Sequence, residues 1–374
     1  MKLEGLRVLD LGLFLPTPVI SQMMADHGAD VICVEPPGGD PTRHLAGRGE
    51  HGEHLWFDAM HRGKRSVEID LKSDAGRALV LRLAAQADVF IESFRPGIAD
   101  KLGIGGESLC AANPRLIYCS LSAYGQTGPL APLPGHDLAI QSYAGFVSLN
   151  RRPGEAPVVP SIPAADMVGG LSALSAILMA LFRRESTGLG DRIDISMFDS
   201  LVAWTPHFQT FAATFGERGQ ERLQQAITGS AFYNVYATRD GRAISLAGPE
   251  PHYVRNFLAA VRREDLLDAA LSEPGSDQDR VIAEFREIFA SRSFADWCVL
   301  LGGINVSWAP VLDMVDSFRL PHARERAILA AGPDATSPAT PLKFAREPAC
   351  NGRAAPRLDE HGPAIRAGGF GPRN

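Results

Sequence analysis

The chain opens with a short apolar run, LRVLDLGLF (residues 6–14), that breaks at prolines and passes into PVISQMMADHGADVICVEPPGGD (18–40). In this second stretch apolar residues first recur at helical spacing and then, after a Gly turn, run continuously, which predicts a strand, an amphipathic helix and a second strand. The alternation continues with KRSVEIDL (64–71) as a strand, DAGRALVLRLAAQA (74–87) as a helix, DVFIES (88–93) as a strand, a short helix, and RLIYCSLSAYG (115–125) as a strand. Such a succession predicts an open α/β sheet with helices on both faces. After Asp166, MVGGLSALSAILMALFRRESTG (167–188) is small and apolar nearly all round, the pattern of a buried helix, and GLGDRIDISMFDSLVAW (188–204) gives a turn, a strand and a helix start. From about residue 225 the character changes. GSAFYNVYATRDGRAISLAG (229–248) reads as an antiparallel hairpin turning at RDG, and charge-rich helices follow to about residue 300, which marks a second, smaller domain. The proline-rich stretch over 333–362 lacks periodicity and is expected to lie over a surface as extended chain.

The length of 374 residues fits two domains better than one minimal core. With 21% charged and 45% hydrophobic residues the composition is that of a folded globular chain, and a net charge of −6 offers no basic field for a nucleic acid partner. No apolar stretch is read as approaching bilayer-spanning length, and MKLEGLRVLDLG lacks the signature of a signal peptide, so a cytoplasmic protein without a membrane partner is expected. The five cysteines are widely spaced and form no CxxC pair, which points to neither a disulfide framework nor a metal centre.

No GxGxxG follows the first strand, where LGLFLPTP stands instead, so dinucleotide binding is disfavoured; P-loop, HExxH, GxSxG and EF-hand signatures are absent as well. Three titratable residues remain in unusual settings: His136 in PGHD, Asp166 in PAADMVGG and Glu250 in AGPEPHY. Each has a plain reading beside the chemical one. His136 is either a catalyst presented by a loop or a turn histidine satisfied by Asp137. Asp166 is either a helix N-cap or a carboxylate that the following VGG leaves open to a ligand, and Glu250 is either a fixed acid or a solvent-facing loop residue.

Seven blocks, LRVLDLG, HGADVICVEPPGGD, RGKRSVEIDLK, DVFIESFRPG, NPRLIYCSLSAYGQTGP, GLGDRIDISMFD and WAPVLDMVD, resemble in order those of the family III CoA-transferase superfamily (CaiB/BaiF type), which also contains the α-methylacyl-CoA racemases. The resemblance runs from about residue 3 to about 315. It implies an α/β fold with a Rossmann-like large domain and parallel sheet over 1–205, completed by 320–374, and a smaller α+β domain over 225–315, with linkers at 206–224 and 316–319. It also implies an interlocked homodimer with the active site shared between subunits. GHDLAIQSYAG and EPHYVRNFL match racemase motifs, which implies His136, Asp166 and Glu250 as catalytic groups acting on a 2-methylacyl-CoA thioester. His136 and Asp166 would exchange the α-proton on opposite faces while Glu250 orients His136, and backbone N–H groups after Asp166 would meet the enolate. The alternative is CoA transfer through a covalent intermediate on Asp166. For CoA the resemblance points to Lys72, Phe94, Arg95 and Lys101; CoA is part of the substrate, and no metal or redox cofactor is required. Two departures stand out: Pro36 replaces an arginine frequent in relatives, with Arg43 as a candidate substitute, and Ala123 replaces a frequent glycine.

Overall fold

The computed structural model describes residues 1–50, 52, 54–151, 155–329 and 338–372. They form two compact units, one within Met1–Arg151, Ala156–Trp204 and Pro321–Asn374, the other within Arg152–Glu155 and Thr205–Leu320.

The first unit is built on six parallel strands: β1 (Arg7–Asp10), β2 (Asp30–Glu35), β3 (Arg65–Glu68), β4 (Val89–Glu92), β5 (Ile117–Ser122) and β6 (Asp191–Ser196), in the order β3-β2-β1-β4-β5-β6. The strand order reverses between β1 and β4, where the carboxyl ends of a parallel sheet leave a crevice. The apolar runs read from the sequence are these strands, buried because both faces are covered. On one face Val8, Val31, Val89 and Cys119 pack with helix α1 (Pro16–Asp26); on the other Leu9, Ile32, Phe90 and Tyr118 pack with α2 (Asp74–Ala84).

Further helices of this unit position the chemistry: α3 (Gly106–Ala112), α4 (Asp137–Tyr143), α5 (Ala164–Thr187) and α6 (Met197–Ala203). Helix α5 packs on α1, β5, β6 and α6 through a face of small residues, Ala165, Gly169, Gly170 and Ala173, that lets backbones approach closely. Two expectations about this segment are corrected. It is not buried all round, because Leu171, Leu178, Met179 and Phe182 on its outer side are exposed, the last at 84%. And at 24 residues it is long and apolar enough, by length and composition, to cross a bilayer, contrary to the reading that no stretch is. After Asp166 its charged residues fall in the last two turns, where Arg184 turns into the unit and pairs with Asp88 at 3.2 Å.

The second unit holds a three-stranded antiparallel sheet of β7 (Tyr233–Ala237), β8 (Ala243–Ala247) and β9 (Trp308–Pro310), ordered β7-β8-β9. The expected hairpin closes at Arg239–Gly241, with Thr238 N–H donating to the Arg242 carbonyl at 2.9 Å and Gly241 at φ 77°. Residues 206–224, expected as a linker, carry α7 (Pro206–Phe215), a short 3-10 turn (Gly216–Arg218) and the start of α8 (Gly219–Thr228). Helices α9 (Pro251–Val261), α10 (Ser276–Ala290) and α11 (Phe294–Gly302) close an aromatic core of Phe232, Tyr236, Phe257, Phe285, Phe289 and Trp297.

Of the segment over 333–362, residues 333–337 lie outside those described. Its later part completes the first unit by covering edge strand β3: Glu68 N–H donates to Asp359 Oδ1 at 2.9 Å and His361 N–H to the Ser66 carbonyl at 3.1 Å. These contacts satisfy backbone groups that an open edge would expose. Helix α12 (Gly362–Gly368) then buries Ile365 in the sheet core.

Candidate active site

Beyond β1 the chain turns sharply because Asp10 holds it. Its carboxylate accepts the Gly12 N–H at 2.9 Å and the Ser21 hydroxyl at 2.5 Å. Gly12 is obligatory here, since a Cβ would lie 1.6 Å from Thr17 Oγ1. The turn delivers Leu13 and Phe14 to a cleft of ≈ 280 Å³, whose walls also carry Phe94 and Arg95 after β4, Ser122 at the end of β5, and both His136 and Asp166. A pocket at the carboxyl ends of strands flanking the reversal of strand order is where this architecture places ligands.

His136 is the N-cap residue of α4, in extended backbone conformation, and its carbonyl accepts from Ala139 at 2.8 Å. The preceding Gly135 permits this approach: a Cβ there would come within 3.0 Å of Ala123 and Tyr124. The imidazole is exposed, has no hydrogen bond among the described residues, and stands edge-on to the Phe14 ring with centroids 5.8 Å apart. Phe14 sits at φ 63°, a strained conformation for a bulky residue and one that persists where surrounding structure holds it.

Asp166 is the third residue of α5 rather than its cap, because the helix begins three residues earlier than the small-residue pattern suggested. The cap comes from Asp137. Its Oδ1 accepts the N–H groups of Ala165 at 2.8 Å and Asp166 at 3.3 Å, and its Oδ2 accepts Gln141 Nε2 at 2.6 Å. Three corrections follow. Asp137 is not the partner of His136, Asp166 is not an N-cap, and the N–H after Asp166, that of Met167, is taken by the Pro163 carbonyl at 3.1 Å as those of Ala165 and Asp166 are by Asp137, so these amides do not meet an enolate. Burial, with the Asp137 charge as the second cause, lifts the Asp166 carboxyl to about 7.

Glu250 belongs to the second unit, as the N-cap residue of α9 between two prolines. Its carboxylate is exposed and has no partner among the described residues. The structure thus brings His136 and Asp166 to one cleft of the first unit and places Glu250 in the other unit.

The residues named for CoA are distributed along the same strand ends. Phe94 lines both the cleft of His136 and Asp166 and a second, largely apolar one of ≈ 450 Å³ bounded by Leu11, Val34, Pro36, Ile69 and Lys72. Arg95 borders the cleft of His136 and Asp166 and a third, polar cleft of ≈ 430 Å³, whereas Lys101, exposed at the end of the helix Ile98–Lys101, lines none of the three. Arg43 is unavailable as a substitute for the arginine absent at Pro36. It is buried in a bidentate pair with Glu35, both bonds 2.7 Å, and its guanidinium lies 3.5 Å over the Phe57 ring. Ala123 packs its backbone carbonyl on the Phe198 N–H at 3.0 Å, so the missing glycine leaves the loop intact. Among the described residues no group of three or more His, Cys, Asp or Glu side chains is placed to hold a metal ion.

Three residues of the site went unread in the sequence: Phe14, Asp137 as a cap, and Ser122, whose buried hydroxyl has no hydrogen-bond partner among the described residues. Asp137 had a local signal, an acid directly after His136 at a helix start, but nothing in the spacing tells which helix it caps.

A family model described as CoA-transferase family III matches residues 3–362. Acetyl-CoA:oxalate CoA-transferase of Acetobacter aceti is 32% identical over 370 residues, 97% of this chain and 94% of that protein. Alpha-methylacyl-CoA racemase of Mus musculus is 33% identical over 366 residues, 96% of this chain and 91% of that protein. Among solved structures, a CAIB/BAIF family protein from Brucella suis superposes with a TM-score of 0.85 at 31% identity, covering 98% of both chains.

Proposed function

The chain belongs to CoA-transferase family III, and from that membership we propose that it is a cytoplasmic racemase or epimerase of 2-methylacyl-CoA thioesters, working by removal and return of the α-proton. The observation that carries this reading is the presence of His136 and Asp166 in one cleft. Inverting a carbon α to a thioester needs two acid/base groups, one for each face. One takes the proton; the C–H electron pair becomes part of the enolate C=C and the carbonyl π pair moves to oxygen. The other group then returns a proton to the opposite face and the thioester re-forms. A carboxyl lifted to about 7 suits both halves of that cycle at neutral pH. With the α5 amides occupied, Arg95 and the unpartnered Ser122 hydroxyl are donors at the cleft for the enolate oxygen. CoA enters as part of the substrate, its adenosine end directed to the cleft of Phe94 and Lys72, and ionisable side chains suffice without a metal or redox cofactor.

The same reading includes a homodimer in which Glu250 of the partner subunit orients His136. Support comes from the exposed apolar residues of α5, a patch of Leu171, Leu178, Met179 and Phe182 that a single chain leaves uncovered, and from the unpartnered Glu250 carboxylate.

Similarity to a CoA-transferase over 97% of the chain favours a second reading, in which Asp166 attacks the thioester carbonyl, expels the CoA thiolate and carries first the acyl group as an anhydride; the thiolate then displaces the acyl group as a carboxylate, leaving CoA as a thioester on Asp166, from which it passes to a free carboxylate. Proton NMR separates the two. A 2-methylacyl-CoA is incubated in deuterated water with wild type and with His136→Ala, and a free carboxylate is offered in parallel. Loss of the α-proton signal with wild type but not with His136→Ala, without transfer, supports racemisation. Transfer that depends on Asp166 and survives His136→Ala, without exchange, moves the assignment to the transferase.

A further inference from the structure

We propose that Asp137 is a positioning residue that binds together the starts of the two helices carrying His136 and Asp166, so that both groups stay set against one substrate carbon. The proposal rests on the reading that those two groups act on a common substrate. Asp137 is the first residue of α4, directly after His136, so its backbone fixes where the imidazole stands. Its side chain crosses to α5, where one oxygen takes the N–H groups of Ala165 and Asp166. The second oxygen accepts Gln141 Nε2, which also donates to the Ile162 carbonyl at 3.0 Å, just ahead of α5. Four hydrogen bonds around one carboxylate and its amide partner therefore tie the first turn of α4 to the approach and first turn of α5. Helix starts hold unpaired N–H groups, and an acid supplied by another segment satisfies them only at one relative placement of the two helices.

The same carboxylate acts on Asp166 through its charge. Asp26 of α1, Tyr118 of β5, Asp191, Arg192 and Asp194 of β6, and Asp199 of α6 lie on the elements packed against α5, with Tyr143 on α4, while His136 and Arg95 share the cleft. Beside these, it is the Asp137 charge that raises the Asp166 carboxyl, second to burial. Geometry and charge are probed by substitution. Asp137→Asn keeps an oxygen for the two amides and removes the charge, at the loss of the bond that the second oxygen accepts from Gln141 Nε2; Asp137→Glu keeps the charge and displaces the oxygen; Asp137→Ala removes both.

The test combines local hydrogen exchange of the segment 160–170 with the pH profile of turnover, measured as α-proton exchange and as CoA transfer. We expect Asp137→Ala and Asp137→Glu to speed exchange in that segment and to lower kcat by about tenfold or more, with a smaller change in KM, since a misplaced acid/base group is costly. Asp137→Asn should retain slow exchange and most of kcat, while the acidic limb of its profile moves to lower pH. If Asp137→Ala does not fold, Asp137→Glu decides the geometry. Wild-type exchange in 160–170 together with wild-type kcat in the displaced variant would overturn the proposal, as would an Asp137→Asn enzyme as impaired as Asp137→Ala. Hydrogen exchange needs no substrate. A wild type that neither exchanges α-protons nor transfers CoA would therefore refute the reading of the site, while exchange in 160–170 would still decide whether Asp137 ties the helix starts.

Discussion

The Phe14 ring and the His136 imidazole meet edge-to-face, 86° apart in plane with centroids 5.8 Å apart, and Phe14 holds this place in a left-handed backbone conformation. A ring contact of this kind is worth roughly 0.5–1.5 kcal/mol, and a non-glycine residue at positive φ costs roughly 1 kcal/mol or more. Phe14→Gly should therefore lose up to about tenfold in kcat, with thermal stability held or raised because the backbone strain is relieved. Turnover and melting temperature measured on the same preparation check this; equal losses of both would show that Phe14 is simply a packing residue.

Asp166 sets a pH dependence that distinguishes the two reactions. With its carboxyl near 7, a step that needs it ionised gains rate as pH rises through about 7, and a step that needs it protonated loses rate over the same range. In a racemase the group is base in one stereochemical direction and acid in the other, so kcat/KM for the two enantiomers should bend in opposite senses near pH 7. A transferase, which uses Asp166 only as a nucleophile, should show the acidic limb alone.

The same carboxyl has a consequence for stability. Its folded-state value lies above the ordinary 3.8, so its proton is held more tightly in the fold than in the unfolded chain. The corresponding stabilisation is complete below about pH 4 and is lost as pH rises through about 7. Asp166→Asn, which stays neutral, should match wild type in urea unfolding at pH 4 and exceed it by roughly 1–3 kcal/mol at pH 8. An equal difference at both values would remove ionisation as the cause.

Arg43 is predicted to matter for stability and not for CoA. Its loss leaves Glu35 buried without its partner, a defect of about 3–5 kcal/mol for such pairs. Arg43→Lys, which keeps the charge but not the bidentate bonds, should unfold at clearly lower urea while its CoA dissociation constant stays within about twofold. Weakened CoA binding at unchanged stability would return Arg43 to the ligand.

The outer face of α5 gives a prediction about assembly. If a second copy covers Met179 and Phe182, the double variant Met179→Glu, Phe182→Glu should sediment as a smaller species than wild type and lose turnover with it. Wild type that sediments as an active monomer would remove the dimer and the shared site.

Much of the fold was legible because its signals are local. Runs such as Val31–Val34 and Val89–Ile91 are apolar for as long as a strand is buried on both faces, and the helices between them alternate at their own period, so the parallel sheet follows from order along the chain. His136 and Asp166 stood out for the same reason, as titratable residues near glycines, although those glycines serve close packing, Gly135 against Ala123 and Tyr124, Gly169 against Met197 and Gly170 against Pro16. What spacing does not carry is the choice of partner between distant segments. Asp137 caps a helix that starts 27 positions later, Arg43 is closed off by Glu35 and the Phe57 ring, and the apolar helix after Asp166 buries only the face that meets α1 and the sheet. A carboxylate, a guanidinium or a leucine is equally able to pair with many neighbours, and only the packed chain decides which one lies within 3 Å.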